Sequence, residues 1–161
     1  MCSFRSSGLH NAIITYKNRA MTEIIRDPDI VKALNPNAKD PEDLLYQNIF
    51  PYFRVPITDT ETLSYVTVCA GFPETRYADN FVRQSYLTVC VIVHQSNMKT
   101  EFGSTLLDYI SAKIDDILNL STKYGRGKMV LMSSTESSLD EFHRYREMMY
   151  VSKETQVSDC D

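Results

Sequence analysis

The residues that could do chemistry here are few and scattered. Cys90 and His94 share one face of an extended stretch, a pairing that could suggest a thiolate–imidazole metal site. Four residues of strand separate them by roughly 13 Å, too far for one ion. Tyr124-Gly125-Arg126-Gly127-Lys128 resembles a phosphate-cradling loop in composition. It lacks Walker spacing and follows a helix instead of opening one. It reads as a turn, with Arg126 available to an acidic partner. Asp108, Asp115 and Asp116 could supply acid–base groups, but one solvated helix face explains them as well. His143 sits between Phe142 and Arg144 with no nucleophile close in sequence, so it proposes no triad. There is no paired-cysteine motif and no HExxH pattern, and no catalytic, cofactor-binding or metal-binding residue is assigned.

The elements that would position such groups are clearer. From Phe81 to His94 the chain is rich in β-branched and aromatic residues with no Gly or Pro, which predicts a strand. Leu87, Val89, Val91 and Val93 fall on one face. Tyr86, Thr88, Cys90, Ile92 and His94 fall on the other, which is semi-polar and therefore partly wet or covered by another subunit. The period then changes. Leu106, Leu107, Ile110, Ile114, Ile117 and Leu118 form one helical stripe, with Thr105 and Asp108 as a capping pair. This helix is expected to cover the aliphatic face of the sheet.

Elsewhere, residues 16–34 predict helix broken at Asp27-Pro28. Asp40-Pro41 opens a short helix that ends near Asn48. Residues 49–56 hold Pro51 and Pro56 and read as an extended edge segment. Residues 63–70 and 128–133 predict strands, 134–141 a loop, and 143–151 a last strand. Ser64-Tyr65-Val66-Thr67-Val68-Cys69 is echoed by Ser85-Tyr86-Leu87-Thr88-Val89-Cys90. The flanks share nothing, so similar strand environments explain it. Paired antiparallel across a 71–80 loop, Cys69 would lie near the loop and Cys90 far from it, which forbids a disulfide between them.

The chain has 161 residues, 43% of them hydrophobic and 24% charged, with a formal net charge of −4. That bounds it to one domain with a real core. The acidic balance argues against broad binding to nucleic-acid phosphates. No apolar run reaches bilayer length. Four cysteines, two of them near the termini, do not form a disulfide framework, so reduced thiols and a cytosolic folding site are expected. The expected fold is α+β: a small antiparallel sheet with one main amphipathic helix and short N-terminal helices on one face. Residues 1–20 are expected to form an extension or arm, 21–152 the domain, and 153–161 a polar tail. Tyr and Arg are enriched where proteins dock, so Tyr65, Tyr86, Arg76, Tyr77, Lys123, Arg126, Lys128, Arg144 and Arg146 are the interface candidates. Tyr145 or Tyr150 is a further member of the tyrosine-rich face.

The order of motifs resembles that of tail terminator and tail completion proteins of tailed bacteriophages and prophages, over about residues 20–152. The matching features are Ile49-Phe50-Pro51-Tyr52-Phe53-Arg54-Val55-Pro56, the strand end Val91-Ile92-Val93-His94, Asn97 to Asp108, the helix end Ile114 to Asn119, and Tyr145-Arg146-Glu147. The chain departs from the pattern before Met21, and at Leu107, where several relatives place an arginine. The resemblance implies a non-enzymatic virion protein forming a ring, commonly a hexamer, at the head-proximal end of a tail tube. Its implied partners are further copies of itself, the tail tube protein and the head connector or neck proteins. DNA would pass through the lumen without sequence-specific binding, and no membrane or cofactor is implied. Another neck component, such as a head-closure or adaptor protein, is the first alternative. A small ligand-binding domain or enzyme with a pocket lined by Tyr65, Tyr86 and His94 is the second.

Overall fold

Alternating β-branched residues and one strong helical stripe build a two-layer α+β domain. The computed structural model describes residues 9–58, 60, 62–73, 82–101 and 103–155. Its helices are α1 (Leu9–Arg26), α2 (Pro28–Leu34) and α3 (Leu106–Leu118), and its strands are β1 (Ile49–Phe50), β2 (Tyr65–Gly71), β3 (Val82–His94), β4 (Arg126–Ser138) and β5 (His143–Thr155). They form one sheet in the order β1-β2-β3-β5-β4. All neighbours are antiparallel except the two-residue β1, which runs parallel to β2. The sheet is therefore mixed at that edge.

The break at Asp27-Pro28 falls where proline chemistry places it. The Asp27 carboxylate caps α2 by accepting from the Asp29 and Ile30 backbone N–H groups. Asp40 does the same for a 3-10 turn over Pro41–Leu44, which stops before the expected end near Asn48. The helix α1 starts upstream of the expected residue 16 and is the longest in the domain, so the N-terminal helices are not all short. Ala20, Met21, Ile24 and Ile25 give it a buried face.

All three helices contribute to one core with the aliphatic side of the sheet. Leu87, Val89, Val91 and Val93 meet Val66 and Val68 of β2, Met148 and Tyr150 of β5, and Leu107, Ile110, Ile114 and Leu118 of α3. Thr105 caps α3 as expected, accepting from the Asp108 N–H at 3.1 Å and donating to its carboxylate at 2.6 Å. A Lys113–Asp29 ion pair of 2.6 Å ties α3 to α2.

Three further expectations are corrected. The first is the 134–141 loop: β4 continues through Ser133-Ser134-Thr135-Glu136-Ser137-Ser138 to residue 138. That run is almost wholly exposed, and it is strand because β5 hydrogen-bonds to it at the sheet's edge. The second concerns the cysteines. The register sets Thr67 opposite Cys90 and Cys69 opposite Thr88, so the two thiols are diagonal neighbours instead of lying at opposite ends. Both are free. The third is Tyr150, which lies on the helix-covered face opposite Leu87, away from the tyrosine-rich face. Its hydroxyl donates to Asp115 at 3.0 Å. Burial, with the Asp115 charge beside it, pushes the phenol well above its ordinary range.

Candidate interaction surface

The face of the sheet opposite the helices is covered at one end by the chain itself. Phe50, Tyr65, Cys90 and Ile92 form a second small cluster with Leu139 and Tyr145 against it. The guanidinium of Arg54 lies 4.6 Å from the Phe50 ring centre and 5.1 Å from that of Tyr65. Phe50 and Tyr65 are themselves 5.9 Å apart. The proline-bearing segment after β1 thus folds back over the sheet and seals Tyr65 to 0% exposure. Burial pushes the Cys90 thiol up to about 12, with Glu147 adding to it, so this cysteine stays protonated and is a poor nucleophile.

Beyond that seal the face opens. Tyr86 is half-buried, opposite Gly71. A side chain at Gly71 would lie 2.5 Å from the Tyr86 hydroxyl, so the tyrosine ring occupies the space the glycine leaves. This is a cross-strand use of glycine in a strand interior. Thr88, Met149 and Val151 are also half-buried here, and Val130 and Glu147 are exposed.

Six of the exposed large apolar residues lie in one stretch of chain. Tyr46, Tyr52, Phe53, Val55, Ile57 and Leu63 are all exposed, Ile57 to 81%. Tyr46 holds a left-handed backbone with φ 61° in a turn closed by its N–H donating to the Ile49 carbonyl at 2.8 Å. A non-glycine residue in that region is strained. A second exposed set, Leu120, Val130 and Met132, lies at the opposite edge of the sheet on and before β4. Among the described residues no strand pairs with the outer side of β4, although residues 119–121 hydrogen-bond to its start at Met129 and Leu131. Concentrated exposed apolar surface of this kind marks contact with another macromolecule.

The candidate residues are distributed unevenly over this surface. Tyr65 is core, and Tyr86 is on the open face. Arg76 and Tyr77 lie outside the described residues, as does most of the 71–80 loop. Lys123 pairs with Glu23 of α1 at 2.7 Å, and Arg19 donates to the Lys123 carbonyl. That pairing holds the Glu23 carboxyl below its usual range. Arg126 and Lys128 are exposed at the start of β4, and Arg126 sits opposite another cation, Lys153. Gly127 has φ 84° at the irregularity between Arg126 and Val130. Arg144 and Arg146 are roughly 20 Å or more away along β5, on the helix side. Arg144 donates to the Asp140 carbonyl at 3.2 Å. Arg146 donates to both Asp108 and Glu136 at 2.6 Å. The structure therefore divides the basic candidates into two groups and commits Arg146 internally.

Arg146 ties the start of α3 to the edge strand, and Asp108 is an anchor point where a solvated acid was expected. Replacing Arg146 by alanine is expected to cost about 1 kcal/mol, since the partner carboxylates are nearly half exposed and screened. The loss should shrink in high salt, as read by urea unfolding at two ionic strengths. No cost would show the tie to be without effect, and a cost that ignores salt would assign the loss to packing of the side-chain stem instead of to the ion pairs.

A pair of histidines went unnoticed in the sequence because only the register reveals it. His94 and His143 are cross-strand partners, with rings 5.1 Å apart edge to face and His94 stacked on Phe142. His143 is fully buried, with Nδ1 at 2.9 Å from Asp140. Desolvation raises the Asp140 carboxyl, but hydrogen bonds from the Phe142 and His143 backbone N–H groups and from the His143 ring outweigh it and hold it below the usual range. Among the described residues, no group of three His, Cys, Asp or Glu side chains is placed to hold a metal ion. No described helix is long and apolar enough to cross a membrane. A cleft of about 530 Å³ lies between α1, α2 and the 3-10 turn, lined by Ile25, Arg26, Val31 and Glu42 among others. Neither Tyr65, Tyr86 nor His94 lines it.

Fold and surface together define an α+β domain with a closed core on one face of its sheet and exposed apolar groups at both edges. The chain belongs to the YomW family, whose pattern matches residues 27–152. No curated protein matches it. Among solved structures it is similar to a chain from the virion of a native gene transfer agent particle. The TM-score is 0.52 at 14% identity, covering 94% of this chain and 98% of that one. A second solved chain has a TM-score of 0.48 at 13% identity, covering 91% and 98%. The first of these likenesses, at 14% identity, shows a shared fold.

Proposed function

We propose that this protein is a tail terminator. It forms a ring, as a hexamer, at the head-proximal end of a phage-type tail tube, stops tube growth and presents a surface to the head connector. The observation that carries the reading is the pair of exposed apolar sets at opposite edges of one sheet, in a chain whose fold is shared nearly end to end with a virion subunit. Two different surfaces meeting head to tail build a ring when the rotation closes. The role is structural, and the partners are further copies, the tube protein and the neck. An acidic chain with net charge −4 suits a conduit through which DNA slides, because strong phosphate binding would hold it.

Light scattering and negative-stain imaging of the purified chain, alone and mixed with tail tubes, test this. The expected result is a closed ring with a central hole, or a cap on one end of the tube. A chain that stays monomeric at every concentration and ignores tube ends overturns the proposal. Binding to head connectors but not to tubes would assign it to the head-closure side of the neck instead.

A further inference from the structure

The two echoed strands present one tyrosine each to the same side of the sheet, the side without helices. Tyr65 comes from Ser64-Tyr65-Val66-Thr67-Val68-Cys69 and Tyr86 from Ser85-Tyr86-Leu87-Thr88-Val89-Cys90. Phe50 and Arg54 cover Tyr65, which is fully buried. Tyr86 stays half-buried. We propose that residues 52–57 of a neighbouring copy lie over the open half of this face, so that the segment sealing Tyr65 in its own chain covers Tyr86 in the next. This rests on the head-to-tail ring proposed above and names the two surfaces that meet in it.

The receiving surface follows from the register. Gly71, Tyr86, Val151 and Val130 are successive cross-strand partners, so they form one row over β2, β3, β5 and β4. Three strand spacings make that row roughly 14 Å long. The Tyr86 ring fills the space above Gly71. Cys69 and Met149 belong to the next row on the same face and are half-buried. Neither row holds a charged residue. The first ends at the sheet's edge on Val130, which is exposed. An uncharged sheet face left uncovered in this way suits an apolar partner.

The occupant is argued from the other edge. Tyr52, Phe53, Val55 and Ile57 are exposed there, beside β1, while β4 is the opposite edge of the sheet. Phe53 to Ile57 spans about 13 Å when extended, close to the length of the row. The same stretch of chain already packs on this face through Phe50 and Arg54, so its chemistry fits the surface. Charge selects the same arrangement. Arg126, Lys128 and Lys153 are exposed around the Val130 end, and Arg126 lies opposite Lys153. Like charges set face to face are unfavourable within one chain. At the other edge the 3-10 turn over Pro41–Leu44 adjoins β1 through the Leu45–Ile49 bridge, and its Glu42 and Asp43 are exposed. Head-to-tail copies bring the acidic edge to the basic one. A two-fold pairing of β4 edges would set cations against cations.

Two double variants and their mixture test this, by sedimentation alone and with tail tubes added. Phe53→Asp with Ile57→Asp removes the inserted segment, and Val130→Asp with Val151→Asp removes the receiving row. Each is expected to weaken assembly by about 30-fold or more. Mixed in equal amounts they keep one intact contact per pair, so dimers form and rings do not. A thiol probe reads the face directly. In a chain carrying Cys2→Ser and Cys160→Ser, alkylation of Cys69 by a small maleimide should slow by about tenfold or more on assembly, since access controls the rate. Rings that form as in the parent despite Val130→Asp and Val151→Asp, or that leave Cys69 as reactive as in dilute protein, overturn this inference and leave the ring standing. So does a mixture no more associated than either variant alone. A parent chain that never assembles, even on tubes, overturns the ring and this contact together. Should the Val130 and Val151 variant fail to fold, Cys69 protection in the chain that keeps both valines decides.

Discussion

Tyr65→Ala is expected to cost the isolated chain about 3–5 kcal/mol of folding stability, the range for emptying a large buried aromatic site. The ring is fully buried, packs on Phe50 and lies under the Arg54 guanidinium. Its loss removes the platform on which the segment after β1 folds back, so Arg54 and Phe50 also lose their contact there. The effect belongs to the single chain. Urea unfolding of dilute protein should show a much lower midpoint at unchanged slope. A variant that unfolds like the parent but fails only to assemble would return Tyr65 to the interface and show that the seal is not formed in solution. Tyr86→Ala is the contrast: a half-exposed ring over Gly71 has far less to lose.

That contrast shows how far residue types alone carry. The strand ending at His94 and the helix after it were legible because each holds one period for about a dozen residues and each carries its own punctuation: Thr105 with Asp108 at the start of α3, and the glycines after its end. The break at Asp27-Pro28 was legible for a similar local reason. The end of β4 was not. Ser133 to Ser138 has no apolar alternation, and only pairing with β5 makes it a strand. The start of α1 was equally hidden, because its buried face is set by packing and its first turn has no acidic residue to announce it. The interface candidates suffered from a related limit. Alternation assigns Tyr65 and Tyr86 to one face, as the register confirms, but cannot reveal that residues 50–54 cover one and not the other. Arg146 was legible as a docking type, yet its partners Asp108 and Glu136 come from a helix and a strand distant in sequence. The His94–His143 pair depends wholly on register and could not be read before the sheet was built.

The surface reading yields the sharpest functional expectation. Phe53→Asp and Ile57→Asp, made together, should leave the isolated chain folded, with stability changed by no more than about 1 kcal/mol, because Ile57 is largely in water and Phe53 about half so. The same double variant should weaken assembly, or capture on tube ends, by about 30-fold or more, which corresponds to about 2 kcal/mol and the loss of an apolar anchor. Two features of the segment make this the place to look. Pro51 and Pro56 bracket Phe53, which limits the conformations it loses on docking. The neighbouring Arg54 is fixed over two rings, so the backbone presenting Phe53 is already anchored to the core. Sedimentation of the variant beside the parent, over a concentration series and with tubes added, measures both effects in one experiment. A variant that still forms rings and caps tubes as the parent does would remove this edge from the assembly surface. The set formed by Leu120, Val130 and Met132 would then have to carry the contact with a partner surface elsewhere. A variant that unfolds would show that the segment is held by more than its ring contacts, and single substitutions at Phe53 and Ile57 would then separate folding from docking.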